Sequence, residues 1–403
     1  MQRRAFLGNT AALFAAAALP ARAQANVALG DDVFVEQAWE QLRGRRIGVI
    51  TNQTGTTSRG ESIVDAIRRN PAIQLVAIYA PEHGFRGDHT AGAYVPTYTD
   101  PQTGLPVYSL YGPTRHPSAQ MLAGVDVLLF DIQDVGSRAY TYISTMAYAM
   151  QSAAQSGKEF WVLDRPNPVG GTIVEGPVLL PQDASFIGLY PIAMRHGMTV
   201  GELARMFNDR FGIGAKLHVV TMRGYDRSMI WPDTGLRWIR TSPNVPYWRT
   251  PFGLLCTGLV DNAGVNNGVG TANPFFYAGA YGLNGSALAG YLNARTLPGV
   301  TFRPASWSPQ SGFWEGKVLS GVELVIEPRA FEAVHCSVEI LCAVRDVAPR
   351  FIDVNKPAAL DRDWGTPELR EGLLAGESPV AIRAHWEART AAFRAMRAPY
   401  LLY

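Results

Sequence analysis

Four segments of this chain run apolar and β-prone, then stop on side chains able to move protons or hold hydrogen bonds. They are 45–55 (RRIGVITNQTG), 74–87 (QLVAIYAPEHGFRG), 125–142 (VDVLLFDIQDVGSRAYTY) and 159–171 (EFWVLDRPNPVGG). In an open parallel α/β sheet, ligands bind just beyond the carboxyl ends of the strands. If these segments are neighbouring strands, Asn52, Glu82, His83, Asp131, Gln133, Asp134, Arg138, Asp164, Arg165 and Asn167 fall along one rim. One charged strand end is ordinary; four on one rim read as an active site.

Glu82 is the foremost candidate. Pro81 fixes the backbone before it, and Gly84 and Gly87 permit a tight turn after it. A carboxyl at a strand end in a concave apolar site tends to have its pKa raised, which suits a general acid. The competing reading is structural: a carboxylate that caps a neighbouring helix or pairs with Arg86. Asp131 and Asp134, in FDIQD, suit a metal ligand or an acceptor for a polyol, but two carboxylates without a third oxygen motif are weak evidence for Mg²⁺ or Ca²⁺. Asp164 and Arg165 fit a structural ion pair equally well. Glu175, in VEGPVL, is the second carboxylate to consider for catalysis, with Gly170-Gly171 and Gly176-Pro177 shaping its loop; it fits a solvent-facing role as readily. His196 stands just ahead of a capped helix, where it either orients a ligand or is a satisfied structural residue. No G-x-S-x-G elbow, P-loop, G-x-G-x-x-G, C-x-x-C or H-E-x-x-H occurs. A serine triad, a bound nucleotide and a zinc site therefore have no sequence support, and no cofactor or metal is expected.

The elements that position these residues alternate. A helix over 33–44 precedes strand 47–51, helix 60–69 and strand 74–80. A long Gly/Pro/Tyr loop spans 88–115, followed by strand 125–131, helix 142–156 and strand 159–164. A β-like excursion through TIVEGPVL leads to a helix in TVGELARMFNDRFG, with Thr199 as N-cap and Glu202 completing a capping box, and then to strand 216–222. Such alternation predicts a parallel sheet flanked by helices. The stretch 223–285 has little periodicity, and its Trp content argues that it is ordered. Beyond it, a helix over 285–295, strands in VELVIEP and SVEILCAVRDV, and helices in ELREGLLAG and PVAIRAHWEARTAAFRAMR predict a second unit. The expected fold is α/β: a Rossmann-like parallel-sheet domain over 31–249 and a smaller α+β domain over 250–403, whose last residues pack back on the body.

Composition narrows the function classes. A formal charge of +2, with no dense run of Lys and Arg, argues against nucleic acid as a partner. Nine Trp and sixteen Tyr suit carbohydrate stacking, although core packing accounts for most aromatics. Residues 1–25 read as a signal peptide: a basic start, a short apolar core and an A-x-A end. The Arg-Arg-x-Phe-Leu pattern resembles a twin-arginine signal, and the core is too short for a membrane span or a stable anchor. Removal of the leader predicts a periplasmic or extracellular protein beginning near Gln24 or Asn26. Cys256, Cys336 and Cys342 allow at most one bridge; Cys336 and Cys342 fall on one side of the expected strand, too far apart to join, so free buried thiols are expected.

Taken together, TNQTG, APEHGFRG, TGLPVYSLYG, DVLLFDIQDVGSRAYTYIS, LDRPNPVGG, VEGPVL, RHGMTVGELA, TSPNVP and YLLY closely resemble one family, the NamZ-type exo-β-N-acetylmuramidases, long carried as a domain of unknown function. The resemblance runs from about residue 40 to 403. It implies a Rossmann-like domain joined to a smaller C-terminal domain with the active site in the cleft between them. It also implies hydrolysis of a terminal, non-reducing β-1,4-linked N-acetylmuramic acid from peptidoglycan fragments or muropeptides. The family's presumed catalytic glutamate falls on Glu82, and the V-E-G-P glutamate on Glu175. Asp131, Gln133, Asp134, Arg138, Tyr140 and Tyr142 match one motif block and Asp164, Arg165 and Asn167 another, while Asn52, His83, His196 and Asn244 lie in the remaining motifs as substrate-binding candidates. Arg138 or Arg165 is the expected holder of the lactyl carboxylate. One stretch departs from the family: LVDNAGVNNGVGTANPF (259–275) carries Asp261 and Val269 where a glutamate and an arginine are common. The rivals are a non-catalytic glycan-binding protein, a glycosidase of different sugar preference, and a metal-dependent hydrolase using Asp131 and Asp134.

Overall fold

The computed structural model describes residues 27–403, so the expected signal peptide lies outside the described residues. The described residues open with α1 (Gly30–Glu36), β1 (Arg46–Thr51), α2 (Ile63–Arg69) and β2 (Gln74–Ala80). There follow β3 (Tyr98–Thr99), β4 (Pro106–Ser109), α3 (Ala119–Leu122), β5 (Val127–Asp131), α4 (Tyr142–Gln155) and β6 (Glu159–Leu163). A small excursion, β7 (Glu175–Val178) and β8 (Ala193–Arg195), leads to α5 (Val200–Arg210) and β9 (Lys216–Val220). The second half holds α6 (Thr250–Thr257), β10 (Tyr277–Ala280), α7 (Gly285–Asn293), β11 (Val300–Trp307) and β12 (Leu319–Ile326). It ends in α8 (Ala333–Val347), α9 (Pro357–Trp364), α10 (Glu368–Leu374) and α11 (Pro379–Arg397).

Seven strands form one sheet in the order β3-β4-β2-β1-β5-β6-β9, parallel except for β3 against β4. From β1 the chain adds strands first on one side and then on the other, so the order reverses between β1 and β5. That is where such sheets open a ligand crevice. All five residues of β5 are buried, because helices cover both faces of the sheet. Leu128 and Phe130 share a core with Met146, Met150, Leu203 and Phe207 of α4 and α5. Val127 and Leu129 share one with Phe34, Ile63 and Ile67 of α1 and α2. The second unit packs α7 and α8 on a three-stranded antiparallel sheet, β10-β12-β11, around Leu288, Phe302, Val322 and Leu341. β7 and β8 pair with each other as a separate ribbon.

Several expectations change. The loop 88–115 contains β4, which pairs in parallel with β2 through Val107 and Tyr108; the strand is short and begins on a proline, so its pattern is faint. SVEILCAVRDV is helix α8, not a strand. It is buried continuously from Cys336 to Val344, so no polar face marks a helical period, and a short apolar run does not separate the two states. Cys336 consequently lies against Cys256 of α6, and all three thiols are free and buried. The strand β11 was not expected; its exposed residues and Pro304 suit the sheet edge it occupies. The first helix breaks at Gln37 into a 3₁₀ turn. The capping box at Thr199 and Glu202 is present, with Thr199 N–H donating to Glu202 Oε2 at 3.0 Å. The last residues do pack back: Leu402 N–H donates to Glu202 Oε1 at 2.8 Å and the Tyr403 hydroxyl to Asp164 Oδ2 at 2.8 Å.

Candidate active site

β2, β1, β5 and β6 are neighbours, so their carboxyl ends bring Asn52, Glu82, Asp131, Gln133, Asp134, Asp164, Arg165 and Asn167 to one rim. The side chains then divide into those that face the rim and those that build its footing.

Asp131, Arg165, Asp164, Asn167 and Arg138 belong to the footing. Arg165 donates from Nε to Asp131 Oδ1 and from Nη2 to Asp31 Oδ2, both at 2.6 Å, with all three side chains buried. Burial, ahead of the opposing pull of Arg165, pushes the Asp31 carboxyl well up and the Asp131 carboxyl up with it. One guanidinium between two buried carboxyls is a structural triad, and Asp31 was missed in the sequence because it lies before the first strand. The ion pair expected between Asp164 and Arg165 is not formed. Asp164 instead accepts from Arg165 N–H (2.9 Å), Gly201 N–H (2.7 Å), Thr199 hydroxyl (2.8 Å) and Tyr403 hydroxyl, at the head of α5. Burial outweighs these donors and raises its carboxyl to about 7. Asn167 closes a turn, donating to Met198 carbonyl and accepting from Val169 N–H. Arg138 is buried and points away from the rim, donating to the carbonyls of Pro177 (2.8 Å) and Asp363 (3.0 Å); burial lowers its guanidinium to about 10. Neither expected arginine has a free fork for a substrate carboxylate.

Glu175 is also displaced from its expected place. It sits on β7, not on the rim, with Oε2 accepting from Arg195 Nη1 at 2.8 Å and its surroundings drawn from Val334, His335, Arg383 and Trp386 of α8 and α11.

Glu82 is held beyond β2 on a turn in which His83, Gly84 and Gly87 all take left-handed backbone, His83 with φ 69°. A left-handed histidine is strained by about 1–3 kcal/mol, and its ring is pinned by Nδ1 against the His89 carbonyl at 2.9 Å. The Glu82 carboxyl is nearly buried. Oε1 accepts from Gly92 N–H at 3.0 Å and Oε2 from the Thr141 hydroxyl at 2.6 Å, at the N-cap of α4. Arg86 pairs with Asp100 instead, so the structural reading of Glu82 as its partner fails. Thr141 serves both protonation states: its oxygen accepts from a protonated carboxyl and its O–H donates to an ionised one. Tyr111, from β4's continuation, lies beside the same carboxyl; burial first, and Glu82 second, push its hydroxyl up to about 12.

The remaining candidates form a polar lining. Asn52 Oδ1 accepts from Thr54 N–H and hydroxyl, and Thr54 Oγ1 in turn accepts from Gln133 N–H at 2.9 Å. Asp134 Oδ2 accepts from Gly136 N–H at 2.7 Å and stands 3.5 Å from His196 Nε2. His196 Nδ1 accepts from Met198 N–H, so in the neutral ring Nε2 carries the proton. Asn52 Nδ2, Gln133 Oε1, Asp134 Oδ1 and His196 Nε2 are buried polar atoms without a hydrogen-bond partner among the described residues. Such groups cost free energy unless something meets them. Tyr140 and Tyr142 donate to Thr241 Oγ1 and Thr241 carbonyl, each at 2.7 Å, tying the 238–249 loop over the rim. Burial raises both phenols, and Tyr140 feels both Asp134 and Glu82. Asn244 sits half-buried on that loop, its N–H on Ser242 Oγ. Val269, in the divergent stretch, packs with Val135, Tyr140, Trp238 and Val245, so this stretch does reach the rim. Thr141 and Thr241 carry no signal in the sequence: Thr141 lies within DIQDVGSRAYTYIS, but nothing local distinguishes it from a helix cap.

Among the described residues no group of three or more His, Cys, Asp and Glu side chains is placed to hold a metal ion. No described helix is long and apolar enough to cross a membrane.

The model of the N-terminal part of exo-beta-N-acetylmuramidase NamZ matches residues 47–249, and that of its C-terminal part residues 254–403. The peptidoglycan beta-N-acetylmuramidase NamZ of Bacillus subtilis (strain 168) is 44% identical over 378 residues, 94% of this chain and 91% of that protein. Crystal structures of two DUF1343 family proteins from Bacteroides fragilis are similar along 94% of this chain and 99% of theirs. One has a TM-score of 0.88 at 37% identity, the other 0.74 at 28%.

Proposed function

The chain belongs to the NamZ exo-beta-N-acetylmuramidase family, and from that membership we propose that it releases terminal, non-reducing N-acetylmuramic acid from peptidoglycan fragments, muropeptides included. The observation that carries the reading is Glu82: a nearly buried carboxyl on the ligand rim, held by Gly92 and by a threonine hydroxyl that can serve it with or without its proton. Glu82 gives its proton to the glycosidic oxygen as the bond to the anomeric carbon breaks. A glycosidase normally needs a second carboxyl, as base or nucleophile. Glu175 and Asp131 are each committed to an arginine. Asp134 takes that role: it lies on the rim, retains an unpartnered oxygen, and shares Tyr140 as a neighbour with Glu82. The polar lining at Asn52, Gln133 and His196 meets the sugar's hydroxyl and amide groups. The twin-arginine-like leader supports export, to the periplasm or beyond the cell.

The test is release of N-acetylmuramic acid from a β-1,4-linked disaccharide of the peptidoglycan backbone, whose alkoxide leaving group needs the proton, by wild type, Glu82→Gln and Asp134→Asn. Loss of either group should lower kcat by ~10²-fold or more. A Glu82→Gln enzyme as fast as wild type would discard the acid, and a wild type without turnover would discard the activity. Finding the wild-type protein retained in the cytoplasmic fraction of its host would overturn the export reading.

A further inference from the structure

With Arg138 and Arg165 both occupied, the structure offers a different place for the acidic group that distinguishes muramic acid from glucosamine. Where the strand order reverses, between the ends of β1 and β5, lies a cavity of about 350 Å³. Arg59, Gln133, Arg165, Trp231, Arg237 and Thr and Ser side chains from 54–58 line it, and among the described residues no carboxylate does. Two of its buried walls end in unmet polar atoms, Gln133 Oε1 and Trp231 Nε1; both side chains are less than a tenth exposed. Behind it, the Arg165 charge is taken up by Asp31 and Asp131. Arg59 and Arg237 are exposed, and among the described residues neither makes an ion pair. Two guanidiniums without an ion pair and an indole N–H in a lining without a carboxylate favour an anion, and guanidinium forks match a carboxylate best.

Glu82 lies on the same rim, beyond the end of β2. Gln133 reaches Asn52 through Thr54, and Asn52 stands beside Tyr142, which in turn lies within the field of Glu82. β2 and β5 flank β1, so their ends are two strand spacings, about 10 Å, apart. That is the scale of one sugar ring with its substituent.

We propose that this cavity receives the lactyl carboxylate of N-acetylmuramic acid, with Arg59 and Arg237 as the residues that set specificity for the acid. The inference rests on the hydrolase reading above. The experiment compares p-nitrophenyl β-N-acetylmuramic acid with its lactyl methyl ester, which removes the charge and adds one methyl group, in wild type, Arg59→Gln, Arg237→Gln and the double variant. Wild type should favour the acid in kcat/KM by about tenfold or more, as expected for losing a charge-assisted contact. The double variant should level the two substrates through a raised KM for the acid. A preference for the acid that survives in the double variant overturns the assignment, as does a wild type that takes acid and ester equally. Calorimetric titration of free N-acetylmuramic acid into Glu82→Gln reads the cavity without turnover: binding lost when both arginines are replaced supports it, and binding unchanged overturns it. Absence of hydrolysis by wild type would instead strike at the hydrolase reading, while the calorimetry still decides the cavity.

Discussion

Replacing Asp164 by asparagine tests whether burial or hydrogen bonding governs the corner where β6 meets α5. The carboxyl is fully buried and accepts four donors, yet burial prevails and carries it from 3.8 to about 7. Between roughly pH 4 and 7 the folded protein therefore holds a proton at this site that the unfolded chain has released. Unfolding sheds that proton, so stability is greatest below the unfolded value, falls as pH rises through the window, and levels off above about 7. The interval corresponds to roughly 4 kcal/mol. An amide in place of the carboxyl cannot titrate. In urea unfolding of wild type and Asp164→Asn, the wild-type advantage should thus shrink by several kcal/mol between about pH 4 and pH 8, whatever the substitution costs by itself. A pH-independent difference would refute the reasoning. An advantage that grows with pH would mean that the Gly201, Thr199, Tyr403 and Arg165 donors outweigh burial.

Thr141→Val keeps the shape at the N-cap of α4 but removes the hydroxyl on Glu82; kcat on a muramic acid glycoside should fall about tenfold or more with KM little changed, and full activity would show that Gly92 alone holds the carboxyl. Gly201→Ala would place a methyl 2.7 Å from Asp164 Cγ and 2.6 Å from Val219 Cγ1, and should cost about 1–3 kcal/mol in urea unfolding; a wild-type midpoint would contradict that crowding. A thiol reagent should find no reactive cysteine in the folded protein and three after unfolding without reductant; two fewer would reveal a bridge between Cys256 and Cys336.

The sheet was legible because β1, β2, β5 and β6 are long apolar runs broken by polar ends, and because a parallel sheet buried on both faces writes itself as such runs. The rim followed from that. The role of each residue on it did not, since Asp131, Asp164 and Asp134 look alike in sequence and differ only in what surrounds them. Arg165 is claimed by Asp31, 134 residues earlier, and Arg138 by carbonyls of β7 and α9; no local pattern announces such partners. The turn that holds Glu82 was recognisable because its chemistry is local: the proline before it and the left-handed glycines after it. The α8 error has the opposite cause, a helix so thoroughly enclosed that its period is hidden.

The return of Leu402 and Tyr403 to the sheet has a consequence for the order of assembly. Their partners, Glu202, Met222, Asp164 and the Arg227 that grips the Tyr403 carbonyl, precede them by 176 to 239 residues. Loop-closure cost grows only slowly with such lengths, but contacts this distant form late. On the ribosome the strands can collapse well before these residues emerge, leaving the Asp164 and Glu202 corner short of donors. A chain clipped just ahead of Leu402 would carry an intact rim on a sheet without the Leu402 and Tyr403 hydrogen bonds, and proteolysis should distinguish it from the 403-residue chain.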